Sequence, residues 1–456
     1  MTLAVVNPAT GKTVAEVDRH DVDQVDRAVR RAAAAFGPWR DMEPSARARL
    51  LRRFADEVEA HAEELALTET HNVGKPISDS RGEVAMVAEV LHFYAGAVDK
   101  HRGATVPVAG GVDMTWHEPL GVVAAIVPWN FPLTIASWKV GPALACGNTV
   151  VVKPAELTPL TALRFAELAL DAGIPDGVLQ VVVGPGSTVG TALVEHPLVA
   201  KVAFTGSTEA GRDVMARAAQ TIKRVTLELG GKSANIVFAD ADVELAAARA
   251  PFAVFANAGQ DCCARSRILV EHTIFDRFVE LLLEATGAFV VGDPEETATQ
   301  MGPLVSQAHR DRVAGFVDPP EEGVHIAGRG TAPGGPGWWF PPTVLAPVDP
   351  TRRVWREEVF GPVVAVTRFT DEADAIALAN DTPYGLSGSI WTSNGARALR
   401  VARAVQAGVL SVNSNNSVRV STPFGGMKQS GIGRELGMEA LDAFSDVKNV
   451  FISTDG

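Results

Sequence analysis

Two of the chain's three cysteines stand side by side in the run Val254–Arg267, VFANAGQDCCARSR. An ionised thiol is a potent nucleophile, but its reference pKa of about 8.5 leaves it mostly protonated at neutral pH, so a working cysteine needs a base or a favouring environment. The residues alone leave Cys262 and Cys263 nearly even for that part. A free cysteine is most often a small buried hydrophobe, which is the reading for Cys146. Three cysteines make no disulfide framework, and no second Cys/His cluster offers metal-ligand spacing, so no metal is expected.

A second set of chemistry-bearing residues follows short apolar runs. GPGSTVG sets Gly184, Gly186 and Gly190 after VLQVVV, and FTGST places Gly206 and Ser207 at the start of a helix. Either alone is an ordinary strand-to-helix turn. One strand apart, they form a double phosphate cradle of backbone N–H groups and helix dipoles. KPAE adds Lys153 and Glu156, a pair that can hydrogen-bond ribose hydroxyls or sit as a solvated surface ion pair.

These residues need a frame. DVDQVDRAVRRAAAAF, PSARARLLRRFADEVEAHAEELALTET and EVAMVAEVLHFYAGAVDK repeat apolar residues at three- and four-residue steps, so the first hundred residues read as helices. GGVDMTWHEPLG alternates like an exposed hairpin, which needs a partner that another subunit could supply. From Gly121, fully apolar runs (GVVAAIV, NTVVVKP, VLQVVV, KVAFTG, RVTLELG) alternate with helical stretches, and a second such alternation starts at ANIVF. Runs buried on both faces, each followed by a helix, predict two parallel α/β blocks, with ligands beyond the carboxyl ends of the strands. The Pro/Gly-rich stretch GRGTAPGGPGWWFPPTV reads as a surface loop whose Trp338 and Trp339 tuck back onto the body.

At 456 residues the chain is expected to hold two or three domains. A net charge of −13 without a dense basic run argues against nucleic acid or an anionic membrane as partner. No apolar run reaches the roughly 18 residues of a span, and the N-terminus lacks a signal pattern, so the expected location is the cytoplasm.

PWNFP, VVVKPAE, FTGSTEAGR, LELGGKSANIV, NAGQDCCARSR, EEVFGPVVAV and PFGGMKQSGIGRELG occur in an order similar to that of the aldehyde dehydrogenase superfamily, from about Asn7 to the C-terminus. The resemblance implies a Rossmann-type coenzyme domain (1–100 and 119–229), an α/β catalytic domain (230–430), and oligomerisation segments (101–118 and 431–456) of a small β sheet in a homodimer or homotetramer. It selects Cys262 as nucleophile, with Glu228, 34 residues earlier, as general base and Asn130 as oxyanion donor beside the Cys262 N–H. It places NAD against Trp129, Lys153, Glu156, Gly186, Gly206, Ser207, Leu229, Glu358 and Phe360. An acidic Glu156 at the ribose favours NAD over NADP, while Lys153 stands close enough to compensate.

By position, Phe131, Ile135, Trp138, Asp261, Cys263, Val418 and Phe424 line the substrate tunnel, although each aromatic taken singly fits core packing equally well. Asp261 opposes ionisation of the adjacent thiol, which suggests a compensating purpose: attraction of a cationic substrate. NAGQDC resembles aminoaldehyde-oxidising members, so an ω-aminoaldehyde is the expected small-molecule partner. Arg419 near the tunnel lip points instead to a semialdehyde acid, and a general aliphatic aldehyde is a further alternative. An acylating enzyme using coenzyme A is disfavoured by Glu228, and a catalytically silent dinucleotide-binding or structural protein by the intact Cys262, Glu228 and Asn130.

Overall fold

The computed structural model describes residues 2–416 and 418–455. Two sheets dominate it. The first, of six strands, has the order 431–432, 224–228, 199–205, 122–126, 149–153, 179–181, and only the 431–432 strand runs antiparallel. Val122–Ile126 and Thr149–Lys153 are buried along their whole length, as parallel strands covered on both faces must be. Chain order runs outward from Val122–Ile126 in both directions, so the switch point lies between it and Val199–Thr205. Residues 127–131 and 206–207 therefore open onto the crevice where doubly wound sheets bind ligands.

The second sheet has seven strands in the order 326–329, 343–345, 363–369, 267–271, 234–237, 387–391, 409–412, with one antiparallel pair at its 326–329 edge. The first sheet is covered by an apolar cluster on each face, and a third cluster packs on the second sheet. The long helices Pro44–Ala60 and Ile77–Ala97 join the Pro132–Cys146 helix, buried at every residue but Cys146, in the largest of these. That buried helix starts with Pro132 in its first turn and stops at Gly147, whose φ of 95° ends it in the left-handed region. Among the described residues no helix is long and apolar enough to cross a membrane.

Three features differ from the sequence reading. The first hundred residues are not all helical: Thr2–Val6 and Thr13–Asp18 form an antiparallel hairpin, whose short alternations were hidden beside longer helical periods. Gly431–Ile432 pairs with Leu227 and Glu228, so this part of the 431–456 segment is tied to the first sheet. The remainder supplies Ser445–Ser453, which pairs along its whole length with Gly111–Pro119 in a separate three-stranded sheet. At the root of that sheet His101, His117 and Asp442 bring ligand-type atoms within 4.8 Å of one another, a grouping that linear spacing did not show. The Pro/Gly-rich loop is tied back through its backbone, Trp338 N–H donating to the Pro8 carbonyl at 3.0 Å, while the Trp339 indole donates to the Pro336 carbonyl within the loop at 2.7 Å, both side chains being half-buried.

Candidate active site

The turn carrying the cysteines is held in an uncommon shape. Asn257, Ala258 and Gly259 all have positive φ, at 50°, 55° and 69°. Non-glycine residues in that region cost of order 1 kcal/mol each and persist only when their surroundings over-determine them. Here the surroundings do so. The Asn257 amide donates to the carbonyls of Asn130 (3.0 Å) and Gln260 (3.2 Å), and the Gln260 amide donates back to the Asn257 carbonyl at 2.9 Å. Gln260 Oε1 accepts from Val305 N–H at 2.9 Å, and a side chain at Gly259 would collide with the Gly361 carbonyl. Neither Asn257 nor Gln260 was singled out from the sequence, because their work is to shape a turn whose partners are distant in the chain.

Two cavities flank this turn. The first, about 640 Å³, is lined by Phe131, Ile135, Trp138, Asp261, Cys263, Val418 and Phe424, all seven of the residues assigned by position to a tunnel. Trp138 and Phe424 meet edge to face at 5.1 Å. The second, about 410 Å³, opens at the switch point of the first sheet and is lined by Trp129, Asn130, Gly206, Ser207, Glu228, Leu229, Glu358 and Phe360. Cys262 lines both cavities, and Cys263 only the first. Cys263 is buried, and its backbone N–H is taken by Asp261 Oδ1 at 2.7 Å. Geometry thus separates the two thiols that the residues alone left tied.

The electrostatics hold the thiol protonated. The Cys263 side chain, burial, and the charges of Asp261 and Glu358 push Cys262 well above the usual thiol range. Burial, and after it the charge of Glu435, likewise raises Glu228 well above the carboxylate range. Both Glu228 oxygens are buried without a hydrogen-bond partner, which is costly in a site with no chemical use for them. Behind Glu228, Lys139 forms a buried ion pair with Glu435 and donates to the Thr205 hydroxyl at 2.7 Å. Lys139 follows Trp138 on the buried helix and escaped the sequence reading, since one lysine in an apolar helix carries no periodic signal.

Asn130 is buried at the start of that helix, its amide donating to the Gln260 carbonyl at 2.9 Å. Trp129 and Phe360 stand edge to face at 5.3 Å across the second cavity. Glu358 Oε1 accepts from Gly231 N–H at 2.8 Å, and a side chain at Gly230 would run into the Glu358 carboxylate. Gly206 is needed for a different reason: a Cβ there would meet the Phe204 ring at 2.6 Å, whereas one at Gly186 would meet nothing. Lys153 and Glu156 do not line the second cavity; they lie beyond it, at the carboxyl end of Thr149–Lys153. Lys153 is buried, packs its stem near Gly190 and donates to the Pro154 carbonyl at 3.0 Å. The two do not form the surface pair weighed from sequence, because Glu156 is paired with Arg19. Arg419 is exposed and does not line the first cavity; Arg249, from Val243–Phe255, does.

The family model for the aldehyde dehydrogenase family matches residues 1–450. The chain belongs to the aldehyde dehydrogenase family. This aldehyde dehydrogenase is 46% identical to phenylacetaldehyde dehydrogenase of Pseudomonas fluorescens, over 99% of this chain and 93% of the relative. It is 44% identical to the NADP/NAD-dependent aldehyde dehydrogenase PuuC of Escherichia coli, over 100% of this chain and 93% of that one. The NAD+ complex of an aldehyde dehydrogenase from Bacillus cereus superposes with a TM-score of 0.98 at 41% identity, covering 100% of this chain and 94% of that chain. The α/β architecture expected of the enzyme is thereby established.

Proposed function

We propose that this aldehyde dehydrogenase oxidises an aldehyde to a carboxylic acid with NAD, through covalent attachment to Cys262. The observation that carries the reading is the position of Cys262 where the two cavities meet. An aldehyde carbonyl in the first cavity and a nicotinamide in the second would both reach its sulfur. The residues around the second cavity fit a dinucleotide: aromatic edges of Trp129 and Phe360, a carboxylate at Glu358, and the amino end of Thr208–Ala218 capped by Ser207. NAD bound there would supply the hydride acceptor.

The chain's own groups do the rest. Once the Cys262 thiol has released its proton to water in the cavity, thiolate attack on the carbonyl carbon places negative charge on oxygen, and the Asn130 amide, with the Cys262 N–H, stabilises it. Asn130→Ala is expected to lower kcat by about 10²-fold, measured as initial NADH formation at saturating aldehyde. Loss of hydride from that adduct leaves a thioester on Cys262. Glu228, orphaned and close to the Lys139–Glu435 pair, takes the proton of the water that hydrolyses it.

For the substrate, we propose an ω-aminoaldehyde. Two carboxylates, Asp261 and Glu83, line the first cavity together with two arginines, Arg249 and Arg265, and Asp261 is the acid next to the reactive thiol. Burial pushes Glu83 up to about 7 and its carboxylate is already paired with Lys75 at 2.6 Å, so recognition of a cationic group is assigned to Asp261. Asp261→Asn is expected to raise KM for 4-aminobutanal about tenfold more than for butanal. Equal changes would leave Asp261 with its turn-closing bond to Cys263 alone. A second reading is favoured by the aromatic walls Phe131, Trp138, Phe252 and Phe424 and by the phenylacetaldehyde dehydrogenase relative: an apolar or aromatic aldehyde.

We also propose a homodimer or homotetramer built on the three-stranded sheet. Its Ser445–Ser453 strand is an edge, with Val447, Phe451 and Ile452 exposed beside Trp116. Removing residues 446–456 is expected to yield a monomer by light scattering; an unchanged mass would place the interface elsewhere.

A further inference from the structure

The strand Thr13–Asp18 is followed by a short linker into the helix Val22–Arg40, and this linker is fastened to the first sheet. His20 N–H donates to the Val183 carbonyl at 2.8 Å, and Val183 N–H donates to His20 Nδ1 at 3.0 Å. Those two bonds hold the linker just past the carboxyl end of Leu179–Val181, beside the end of Thr149–Lys153. Arg19, the residue before His20, is thereby brought against Glu156, just past the carboxyl end of Thr149–Lys153. Its Nη2 stands 3.0 Å from Glu156 Oε1, with the two side chains only 37% and 27% exposed. Arg19 Nε is buried and has no hydrogen-bond partner, so the guanidinium keeps an unused donor there.

We propose that Arg19 sets the selectivity of the coenzyme site at the ribose 2′ position, so that the enzyme takes NADP as well as NAD. The inference rests on the coenzyme reading above, in which Lys153 and Glu156 hold the adenosine ribose. A carboxylate at that place accepts from a 2′-hydroxyl and repels a 2′-phosphate, whereas an arginine accommodates the phosphate. Here both kinds of group are present and paired. Arg19 offsets the charge of Glu156, and Lys153 adds a second cation, so the three side chains carry one net positive charge whenever Lys153 is protonated. Burial lowers Lys153 to about 8, which leaves it mostly charged at neutral pH. A 2′-phosphate displacing Glu156 from Arg19 would gain a planar two-donor partner, the geometry in which guanidinium groups bind phosphate best. With a 2′-hydroxyl instead, the Arg19–Glu156 pair stays closed and Glu156 is still free to accept from the ribose through its other oxygen.

The test is equilibrium binding of reduced coenzymes without aldehyde, followed by the change in their fluorescence. Dissociation constants for NADH and NADPH are measured on the wild-type protein, Arg19→Gln and Glu156→Gln. The wild type is expected to bind NADPH within about tenfold of NADH. Arg19→Gln is expected to raise the NADPH-to-NADH ratio of dissociation constants by about tenfold or more, and Glu156→Gln to lower it. An unchanged ratio in Arg19→Gln, or a wild type that excludes NADPH altogether while binding NADH, overturns the proposal. If the wild type binds neither coenzyme, the coenzyme reading itself falls, and this proposal with it.

Discussion

Cys262→Ser lowers aldehyde-dependent NADH formation by about 10⁴-fold or more, whereas Cys263→Ser stays within about tenfold of the wild type. The contrast is large because the two sulfurs sit in different places, not because they differ in kind. Cys262 is the one thiol that reaches both cavities, and Cys263 is enclosed against Asp261 and Arg265. A serine at 262 keeps the shape but is a far weaker nucleophile, and a raised Glu228 cannot activate it. A serine at 263 removes the neighbour that raises Cys262 most, so its rate at neutral pH is expected to hold or rise slightly. Rates are measured with saturating NAD and a panel of 4-aminobutanal, phenylacetaldehyde and butanal. A Cys263→Ser protein as dead as Cys262→Ser would remove the assignment of the nucleophile.

Glu228→Gln produces one rapid turnover of NADH per active site and then stalls, with steady-state turnover down by about 10³-fold. Hydride loss needs no base at Glu228, while hydrolysis of the thioester does, so only the second half-reaction is lost. The same residue governs pH dependence. Burial keeps Glu228 protonated above the usual carboxylate range, and Cys262 is raised as well, so both reactive forms grow as pH increases. Wild-type turnover is therefore expected to rise from about pH 6 to about pH 9, and the burst rate in Glu228→Gln to keep only the thiol's share of that rise. Stability moves the opposite way. In the unfolded chain Glu228 ionises near its reference value of about 4.3, whereas the folded chain retains the proton to higher pH. That contribution is complete at low pH and is lost as pH climbs through the raised folded value. Glutamine cannot ionise, so Glu228→Gln is expected to melt about 1–3 °C above the wild type at pH 8, with the gap narrowing toward pH 5.

The parts of this enzyme that were legible in its sequence are those written in local pattern. GVVAAIV and NTVVVKP announced buried parallel strands; the residues after the first open onto the crevice as expected, whereas Lys153 and Glu156 after the second lie beyond it. Gly111–Pro119 was visible as an alternation, although as one long strand and not the hairpin expected, and its partner Ser445–Ser453 was implied only by the family resemblance. The hairpin at Thr2–Asp18 was missed because two strands of five and six residues compete poorly with the helical period that follows. Contacts that cross the fold left no trace in spacing. Arg19 meets Glu156 only because His20 is fastened to Val183, and Lys139 meets Glu435 across 296 residues. Asn257 and Gln260 stood in plain view beside the cysteines, yet their function depends on three consecutive left-handed residues that no composition signals. Arg419 was taken toward the cavity on sequence proximity to Val418, but the backbone turns it outward and Arg249 occupies the lining instead.

The central claim is a covalent thioester on Cys262, and the Glu228→Gln protein should let it accumulate. That protein is mixed with NAD and 4-aminobutanal or phenylacetaldehyde, quenched in acid, and its intact mass and fragmented Cys262-containing peptide are recorded. The account predicts a mass increase equal to the acyl group of the aldehyde supplied, localised to Cys262, appearing with one equivalent of NADH. An NADH burst without an adduct, or an adduct localised to Cys263, would contradict it.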